Sequence, residues 1–209
     1  MADHYFTDKP LSKEDVFEYK VKINDVDFRF YSDSGVFSKH GIDYGSMLLI
    51  NTVLEDVTKL ESGLSNEDKP SLGDLGCGIG VIGIILNRLL KINNSYLYDI
   101  SERAVTLAKM NIDRNMSKRT YVKKLDVLKD EILDRVDICV TNPPVRAGKP
   151  VVFAFYEKAY SILNKSGTFY CVIQKKQGLD STKKKLAELF CSVETINRSS
   201  GYHVLKCAK

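Results

Sequence analysis

A glycine-rich stretch at residues 72–83 constrains the fold of this 209-residue chain more than any other feature. Its sequence is LGDLGCGIGVIG, in which a short apolar run ends in an acid and glycines follow, and a helix-forming run comes directly afterwards. This order predicts a strand, a tight turn and a helix N-terminus. Glycine suits the turn because it adopts positive φ and because its missing Cβ lets a ligand approach the backbone. The unpaired N–H groups of a helix start favour an anion or a carboxylate.

The spacing of the glycines leaves the ligand open. Gly78, Gly80 and Gly83 match the G-x-G-x-x-G pattern of dinucleotide sites, which is a weak signal on its own. The frame D-x-G-x-G-x-G, which begins at Asp74, fits better, because an acid there would repel a pyrophosphate but could hold a cation such as the amino group of a methionine moiety. A loop that only turns the chain is the remaining interpretation. The strand and helix patterns on either side favour nucleotide-type binding.

Composition predicts a single globular domain over residues 1–209. The apolar fraction of 44% and the charged fraction of 28% are ordinary for a soluble protein. We find no apolar run near the ~20 residues that cross a bilayer and no secretory signal, so we expect a cytoplasmic protein with no membrane partner. The net charge of +4 is compatible with nucleic acid but too small to demonstrate it.

The cysteines predict reduced, buried thiols. They are five in number and scattered, and none forms a C-x-x-C pair, so neither a zinc site nor a disulfide framework is expected. Their positions are Cys77, Cys139, Cys171, Cys191 and Cys207.

The N-terminal part predicts a β-hairpin and a helix. Residues 18–23 and 26–31 alternate in polarity, and the Asn-Asp pair between them is a turn signal. A glycine-punctuated segment follows at residues 35–46, and Ser46 is placed to cap a helix that runs to about Leu60.

From residue 71 onwards strands and helices alternate. After the strand in the glycine-rich stretch, we predict strands at 95–99, 119–123, 136–141, 167–173, 192–197 and 202–207, and helices at 84–90, 101–115, 152–163 and 182–190. The prediction is a doubly wound, mostly parallel, seven-stranded α/β sheet with ligands at the carboxyl ends of its strands. Residues 1–45 would form the hairpin and a ligand-side segment, and residues 46–209 the Rossmann-like core.

Polar side chains fall at the carboxyl ends of these strands: Asp74, Asp99, Asp126 and Asn142. Asp99 lies about twenty residues beyond the glycines, where an acid accepts hydrogen bonds from ribose hydroxyls. Ser101 is better placed than Asp99 to cap the next helix. Asp126 has two equal interpretations, as an acceptor for an adenine amino group or as an ordinary loop acid.

The segment TNPPVRAGKP at residues 141–150 carries the clearest chemical signal. Its prolines stiffen the loop and remove backbone donors, so Asn142 and the neighbouring carbonyls present acceptors. Acceptors suit a planar amine: holding both of its hydrogens favours a pyramidal nitrogen and directs its lone pair at an electrophile. A simple proline turn would not explain why Arg146 and Lys149 share this loop.

These motifs resemble known families. DLGCGIG at 74–80 is similar to motif I of class I S-adenosylmethionine-dependent methyltransferases, and NPP at 142–144 to their amino-methylating motif IV. Longer strings resemble the RsmC-type family of small-subunit (16S) rRNA guanine-N2 methyltransferases; they lie at residues 35–46, 99–104, 142–149, 174–178 and 201–203.

The resemblance implies a cofactor, a partner and a set of site residues. The cofactor would be S-adenosylmethionine, and the partner ribosomal RNA or the small ribosomal subunit. The implied cofactor-binding residues are Asp74, Gly76 and Gly78 at the methionine end, Asp99 at the ribose, Asp126 at the adenine, and Phe37 and Asn142 beside them. Asn142 and the Pro143 carbonyl would orient guanine N2 as the catalytic groups. The implied substrate-binding residues are Phe37, Pro144, Arg146, Lys175 and Lys176.

Two departures from the family pattern qualify the target. Longer members carry a second, degenerate domain ahead of the catalytic one; without it, RNA recognition would be simpler or shared with a partner. Many amino methyltransferases also place an aromatic after Asn-Pro-Pro to stack on the base, and here Val145 stands in its place. Stacking would then come from Phe37 or another ring, while Arg146 would stack or pair with a phosphate.

Other functions stay open at this point. Adenine N6 and protein glutamine are alternative amines for the same loop. A nicotinamide-dependent oxidoreductase would use the glycines for pyrophosphate, but Asp74 and the Asn-Pro-Pro loop argue against it. A non-catalytic RNA-binding module is the third class. The basic run at residues 183–185 is most simply a solvated helix face.

Overall fold

The computed structural model describes residues 16–33, 41–61 and 69–209, so the predicted site residue Phe37 lies outside the described residues. The strands are β1 Val16–Ile23, β2 Val26–Asp33, β3 Leu72–Leu75, β4 Ser95–Asp99, β5 Thr120–Lys124, β6 Val136–Thr141, β7 Leu163–Gln174, β8 Ser192–Ser199 and β9 Tyr202–Ala208. The α-helices are α1 Tyr44–Glu61, α2 Val81–Leu89, α3 Glu102–Arg114, α4 Lys149–Ile162 and α5 Leu179–Leu189. Short 3₁₀ turns lie at Val145–Ala147 and Lys175–Gln177.

Strands β3 to β9 form one seven-stranded sheet in the order β5-β4-β3-β6-β7-β9-β8. Strands β3 to β7 pair in parallel, whereas β9 is antiparallel to both β7 and β8. The predicted doubly wound, mostly parallel sheet is confirmed. The chain builds outward from β3 to β5 and then restarts at β6 on the other side of β3. Ligands bind at such switch points in open α/β sheets, because the loops that leave the two strands separate there.

Both faces of the sheet are covered. Helices α1 to α3 pack on one face and α4 and α5 on the other. Strand β6 carries apolar side chains on both faces, since Ile138 and Val140 face the first layer and Cys139 faces the second. Four of the cysteines are buried as predicted, and burial raises the pKa of Cys207 to about 12. Cys191 is exposed, contrary to the expectation of buried thiols, because it follows the end of α5.

The predicted hairpin is confirmed as the antiparallel pair β1–β2. Its two turn residues, Asn24 and Asp25, both adopt positive φ (46° and 61°), as a tight two-residue hairpin turn requires. Phe28 and Phe30 bury their rings in the same apolar core as α1 and α2. The hairpin therefore packs as part of the first helical layer.

Four helices begin earlier than predicted. Helix α1 begins at Tyr44, and Asp43 Oδ1 accepts the Ser46 N–H at 3.0 Å, so Asp43 rather than Ser46 caps it. Helices α2, α4 and α5 each begin three residues before the predicted position. Each follows a glycine at positive φ, which turns the chain into the helix: Gly80 (87°), Gly148 (93°) and Gly178 (105°). Within the described ranges no helix is long and apolar enough to span a bilayer.

Candidate active site

A pocket of about 380 Å³ opens at the carboxyl ends of β3, β4 and β6. It lies at the switch point, where the glycine turn and the Asn-Pro-Pro loop face each other. Eight of the predicted site residues line it: Gly76, Gly78, Asp99, Asp126, Asn142, Pro143, Pro144 and Arg146. The fold therefore brings the two motifs into one cavity.

Two glycines of the turn have different reasons to be glycine. Both have left-handed backbone, with φ of 70° at Gly76 and 55° at Gly78. A Cβ on Gly76 would come within 2.8 Å of the Phe155 ring, so this glycine is required by packing against α4. A Cβ on Gly78 would meet no atom within 4 Å, because it would project into the open pocket. Gly78 therefore leaves room for a ligand against the backbone.

Asp99 joins the end of β4 to the glycine turn. Its Oδ2 accepts the Gly78 N–H at 2.8 Å, and its Oδ1 accepts the Ser101 N–H at 2.9 Å. Burial raises the pKa of Asp99, and the backbone donors oppose that shift. The Ser101 hydroxyl accepts the Ala104 N–H at 3.3 Å, which confirms Ser101 as the cap of α3. Asp99 thus faces the pocket with its orientation already fixed.

Asp74 lies behind the glycine turn and does not line the open pocket. Its side chain is fully buried, and its Oδ2 accepts the Gly83 N–H of α2 at 2.9 Å. Its Oδ1 is buried and has no hydrogen-bond partner among the described residues. Burial raises the pKa of Asp74 to about 7, against the lowering effect of the Gly83 N–H. One carboxylate oxygen is therefore left unsatisfied beside the site.

Asp126 shows features of both of its predicted interpretations. Its Oδ1 accepts the Leu128 N–H at 2.9 Å, and its Oδ2 lies 3.3 Å from the Lys129 ammonium, as for an ordinary loop acid. The residue also lines the pocket next to Val127. The loop bonds hold this carboxylate at the edge of the cavity.

Asn142 is held by two residues that the sequence reasoning did not assign. Its Nδ2 donates to Ser46 Oγ at 3.0 Å and to Asp43 Oδ1 at 3.2 Å, and both partners line the pocket. Both stand at the start of α1, within the glycine-punctuated string 35–46, which marked their positions but gave them no role in the site. The amide oxygen accepts no hydrogen bond from the described residues. The Pro143 carbonyl accepts the Val145 N–H at 2.8 Å, which occupies one of its two lone pairs.

The predicted basic residues lie at the rim or beyond it. Arg146 is exposed and lines the pocket. Lys175 and Lys176 are exposed on the 3₁₀ turn after β7 and do not line the pocket, although their neighbour Gln177 does. Among the carboxylates that the structure describes, none pairs with Arg146, Lys175 or Lys176.

Tyr202 is a further aromatic residue at the site. It lines the pocket from β9, is partly buried, and packs on the Tyr44 ring with centroids 5.5 Å apart. The other rings of the lining, Tyr98 and Phe155, are buried in the core. Tyr202 lies in the string 201–203, so the sequence marked its position but gave it no role. No three metal-ligating side chains cluster anywhere in the described part of the chain.

Comparison with known proteins gives one family. The family profile described as "Methyltransferase small domain" matches residues 27–206. The Bacillus subtilis protein YbxB is 37% identical over 215 residues, which cover the whole of both chains. The "Ribosomal RNA large subunit methyltransferase G" of Pseudoalteromonas translucida is 26% identical over 88% of this chain and 47% of its own length.

A solved structure shares the fold over nearly the whole chain. The T. thermophilus 16S rRNA N2 methyltransferase RsmC, in complex with AdoMet and guanosine, superposes with a TM-score of 0.75 and 25% identity. The alignment covers 96% of this chain and 52% of that one. The chain therefore spans about half the length of the rRNA methyltransferases it matches.

Proposed function

Because the chain belongs to the methyltransferase small domain family, we propose that it methylates the exocyclic N2 amine of a guanine in small-subunit ribosomal RNA. It is an S-adenosylmethionine-dependent methyltransferase related to rRNA methyltransferases. The observation that carries the finer proposal is the amide oxygen of Asn142, which accepts no hydrogen bond from any described residue and lies in the same pocket as the glycine turn. A similar structure was solved with AdoMet and guanosine, which supports guanine as the base.

The pocket fits S-adenosylmethionine on two observations. The open space over Gly78 accommodates a ligand against the backbone, and the buried Oδ1 of Asp74, which has no hydrogen-bond partner among the described residues, is an unsatisfied acceptor behind the turn. Gly76 and Gly78 would hold the methionine end directly, and Asp74 would act from behind the turn, which it binds through the Gly83 N–H. Asp99 would hold the ribose and Asp126 the adenine amino group. The bound cofactor supplies a methyl group made electrophilic by a positively charged sulfur.

The acceptor side of the pocket orients the amine. The Asn142 amide oxygen and the remaining lone pair of the Pro143 carbonyl would accept the two N2 hydrogens. This directs the nitrogen lone pair towards the glycine turn, so the chain contributes by positioning and by fixed dipoles. The base would have to leave its helix to enter, as for other enzymes that modify bases.

Side chains near the loop would hold the rest of the nucleotide. Val145 cannot stack as an aromatic does, and the partly exposed Tyr202 ring is the described aromatic that is available. Pro144 and Arg146 would contact the base or its phosphate, and Lys175 and Lys176 would contact the RNA backbone outside the pocket. Structured RNA exposes little sequence in its grooves, so such contacts would carry much of the affinity. A ribosomal substrate also implies a cytoplasmic enzyme.

The test is methyl transfer to unmodified ribosomal subunits. The parent enzyme, labelled cofactor and separate small and large subunits, with the naked RNAs alongside, are incubated, and the labelled nucleoside is mapped. We expect N2-methylguanosine in small-subunit RNA. Asn142→Ala should still bind S-adenosylmethionine but lose transfer at saturating cofactor by about 100-fold or more, as when one preorganised polar group is removed. Transfer at the parent rate would exclude the role assigned to Asn142.

Large-subunit RNA is the second candidate, because a relative named as a large-subunit rRNA methyltransferase matches 88% of this chain. Label in N2-methylguanosine of large-subunit RNA would change the RNA assigned as the substrate but not the proposed methylation of an amine. Label in N6-methyladenosine or in protein glutamine would overturn guanine. Binding of NADH in preference to S-adenosylmethionine would indicate an oxidoreductase, and RNA binding without transfer to any substrate would indicate a non-catalytic module.

A further inference from the structure

We infer that Asp43 and Ser46 are positioning residues that hold the amide of Asn142 with its oxygen towards the substrate amine. The inference rests on the proposed amine methylation and adds two residues to it. Both come from the start of α1, 99 and 96 positions before Asn142 in the sequence.

The prolines cannot set this orientation by themselves. They fix the backbone around residue 142, but the terminal torsion of an asparagine side chain is broad and nearly two-fold. A half-turn of the amide would exchange its oxygen for its NH₂ group. The loop would then present a donor to an amine that also donates. Correct chemistry therefore needs a second group to choose between the two ends.

Asp43 and Ser46 make that choice. An ionised carboxylate accepts hydrogen bonds and cannot donate, so the Asp43 Oδ1 contact at 3.2 Å assigns the NH₂ end to its side. Ser46 Oγ accepts the other Nδ2 hydrogen at 3.0 Å. With both hydrogens engaged, only the oxygen is left for a ligand.

The two acceptors are themselves held in place. The same Asp43 Oδ1 accepts the Ser46 N–H at 3.0 Å and so caps α1. Ser46 is buried. Tyr44, which lies between Asp43 and Ser46 in the sequence, donates its hydroxyl to Ser199 Oγ at 2.5 Å and so ties this part of the chain to β8. The orientation of the Asn142 amide therefore depends on the start of α1, which lines one side of the pocket.

The test exchanges the two ends of the bond. Asn142→Asp places two carboxylates against each other, and we expect at least a 100-fold loss in kcat. The double variant Asp43→Asn/Asn142→Asp restores a donor and an acceptor with the carboxylate now on the loop. We expect it to regain at least tenfold over the single variant. Simple loss of folding would not be rescued in this way.

Single substitutions by alanine separate the orientation of the Asn142 amide from the binding of the cofactor. Ser46→Ala keeps the backbone N–H that Asp43 accepts at the start of α1. We expect kcat to fall about tenfold while the Kd of S-adenosylmethionine, measured by calorimetry, stays at the parent value. Asp43→Ala should lower kcat further and also lower the melting temperature. The side-chain ¹H–¹⁵N signal of Asn142 should shift in both variants without any ligand, which reports the amide directly.

A matched cluster provides the control. At the amino end of β6, away from the pocket, Asp137 accepts hydrogen bonds from the Ser71 N–H at 2.9 Å, from Ser71 Oγ at 2.8 Å and from Asn164 Nδ2 at 2.6 Å. Asp137→Ala should therefore lower the melting temperature and leave kcat unchanged. An unmoved kcat in Ser46→Ala, or an exchange variant no faster than Asn142→Asp, overturns the positioning role. A parent enzyme that methylates no RNA overturns the proposed function instead, and the amide signal still tests the bond.

Discussion

Gly78 and Gly201 separate the backbone cost of a side chain from its effect on a ligand. Both have left-handed φ, 55° and 79°, and a Cβ on either would meet no atom within 4 Å. Only Gly78 lines the pocket. The pair therefore isolates what the missing Cβ does for the cofactor.

We expect Gly78→Ala to weaken S-adenosylmethionine binding at least tenfold, because the methyl group occupies the space against the turn. Gly201→Ala should bind the cofactor like the parent. Both variants should lose about 1 kcal/mol of unfolding free energy through left-handed backbone at a residue with a Cβ. Calorimetric Kd values and urea titrations measure the two effects. Equal Kd values for the two variants would show that the space over Gly78 is not the cofactor site.

Asp74 makes the stability of the free protein depend on pH. The pKa of Asp74 is raised to about 7 in the fold. The contribution of this carboxyl to the free energy of unfolding is therefore fully present below its pKa in the unfolded chain and is lost as pH rises through 7. Asp74→Asn keeps an acceptor for the Gly83 N–H and does not titrate. Between pH 4 and pH 8, the free energy of unfolding of the variant should rise by up to ~4 kcal/mol relative to that of the parent. Urea titrations across that range measure this difference. A difference that is constant with pH would show that Asp74 ionises normally.

At the scale of elements, Asn111 of α3 and Asn115, which caps the end of that helix, attach the hairpin. Asn111 is fully buried: its Oδ1 accepts the Tyr31 N–H at 2.7 Å, and its Nδ2 donates to the carbonyls of Tyr31 at 3.0 Å and Ile79 at 2.9 Å. Asn115 makes the equivalent pair of bonds to Arg29, at 3.0 Å and 2.8 Å. Only Asn111 also reaches the glycine turn, through Ile79.

This difference predicts a split between stability and cofactor binding. Asn111→Ala and Asn115→Ala should each destabilise by roughly 1–3 kcal/mol, because each leaves partly buried backbone groups of the hairpin unpaired. Asn111→Ala alone should also weaken S-adenosylmethionine binding, by about threefold to tenfold, since the turn loses the bond at the Ile79 carbonyl. Thermal unfolding and calorimetry on both variants measure the split. Equal cofactor affinities would mean that the turn holds its shape without α3.

The elements and the two motifs could be predicted because their signals are local. The apolar residues 138–140 of β6, the glycines after β3 and the turn residues of the hairpin each act within a few positions. The partners of Asn142 could not be predicted, because a hydrogen bond across 96 residues leaves no mark in periodicity or spacing. Burial was equally hidden: Asp74 looked like a ligand-facing strand end, yet its side chain is turned behind the loop by the Gly83 N–H.

At the scale of the whole molecule, the sheet divides the chemistry between two halves. The loops after β3, β4 and β5 carry the glycines and acids, and the loop after β6 carries the amide. Helix α1 and β9 add Asp43, Ser46 and Tyr202 as a wall between them. An RNA that delivers a base to this pocket must lie along the carboxyl edge of the sheet, where Lys175 and Lys176 are exposed.

We therefore expect Lys175→Ala/Lys176→Ala to weaken RNA binding about tenfold at 0.1 M salt and to reduce the slope of log Kd against log salt by about two, one for each lost phosphate contact. The Kd of S-adenosylmethionine should not change, because neither lysine lines the pocket. The control is Lys118→Ala/Lys165→Ala, which removes the same charge from exposed positions at the amino ends of β5 and β7. If the two double variants lose RNA affinity equally, net charge alone attracts the RNA. A larger loss and a smaller salt slope only at the carboxyl edge place the phosphates beside the pocket, because long-range attraction from a net charge of +4 does not distinguish one edge from the other.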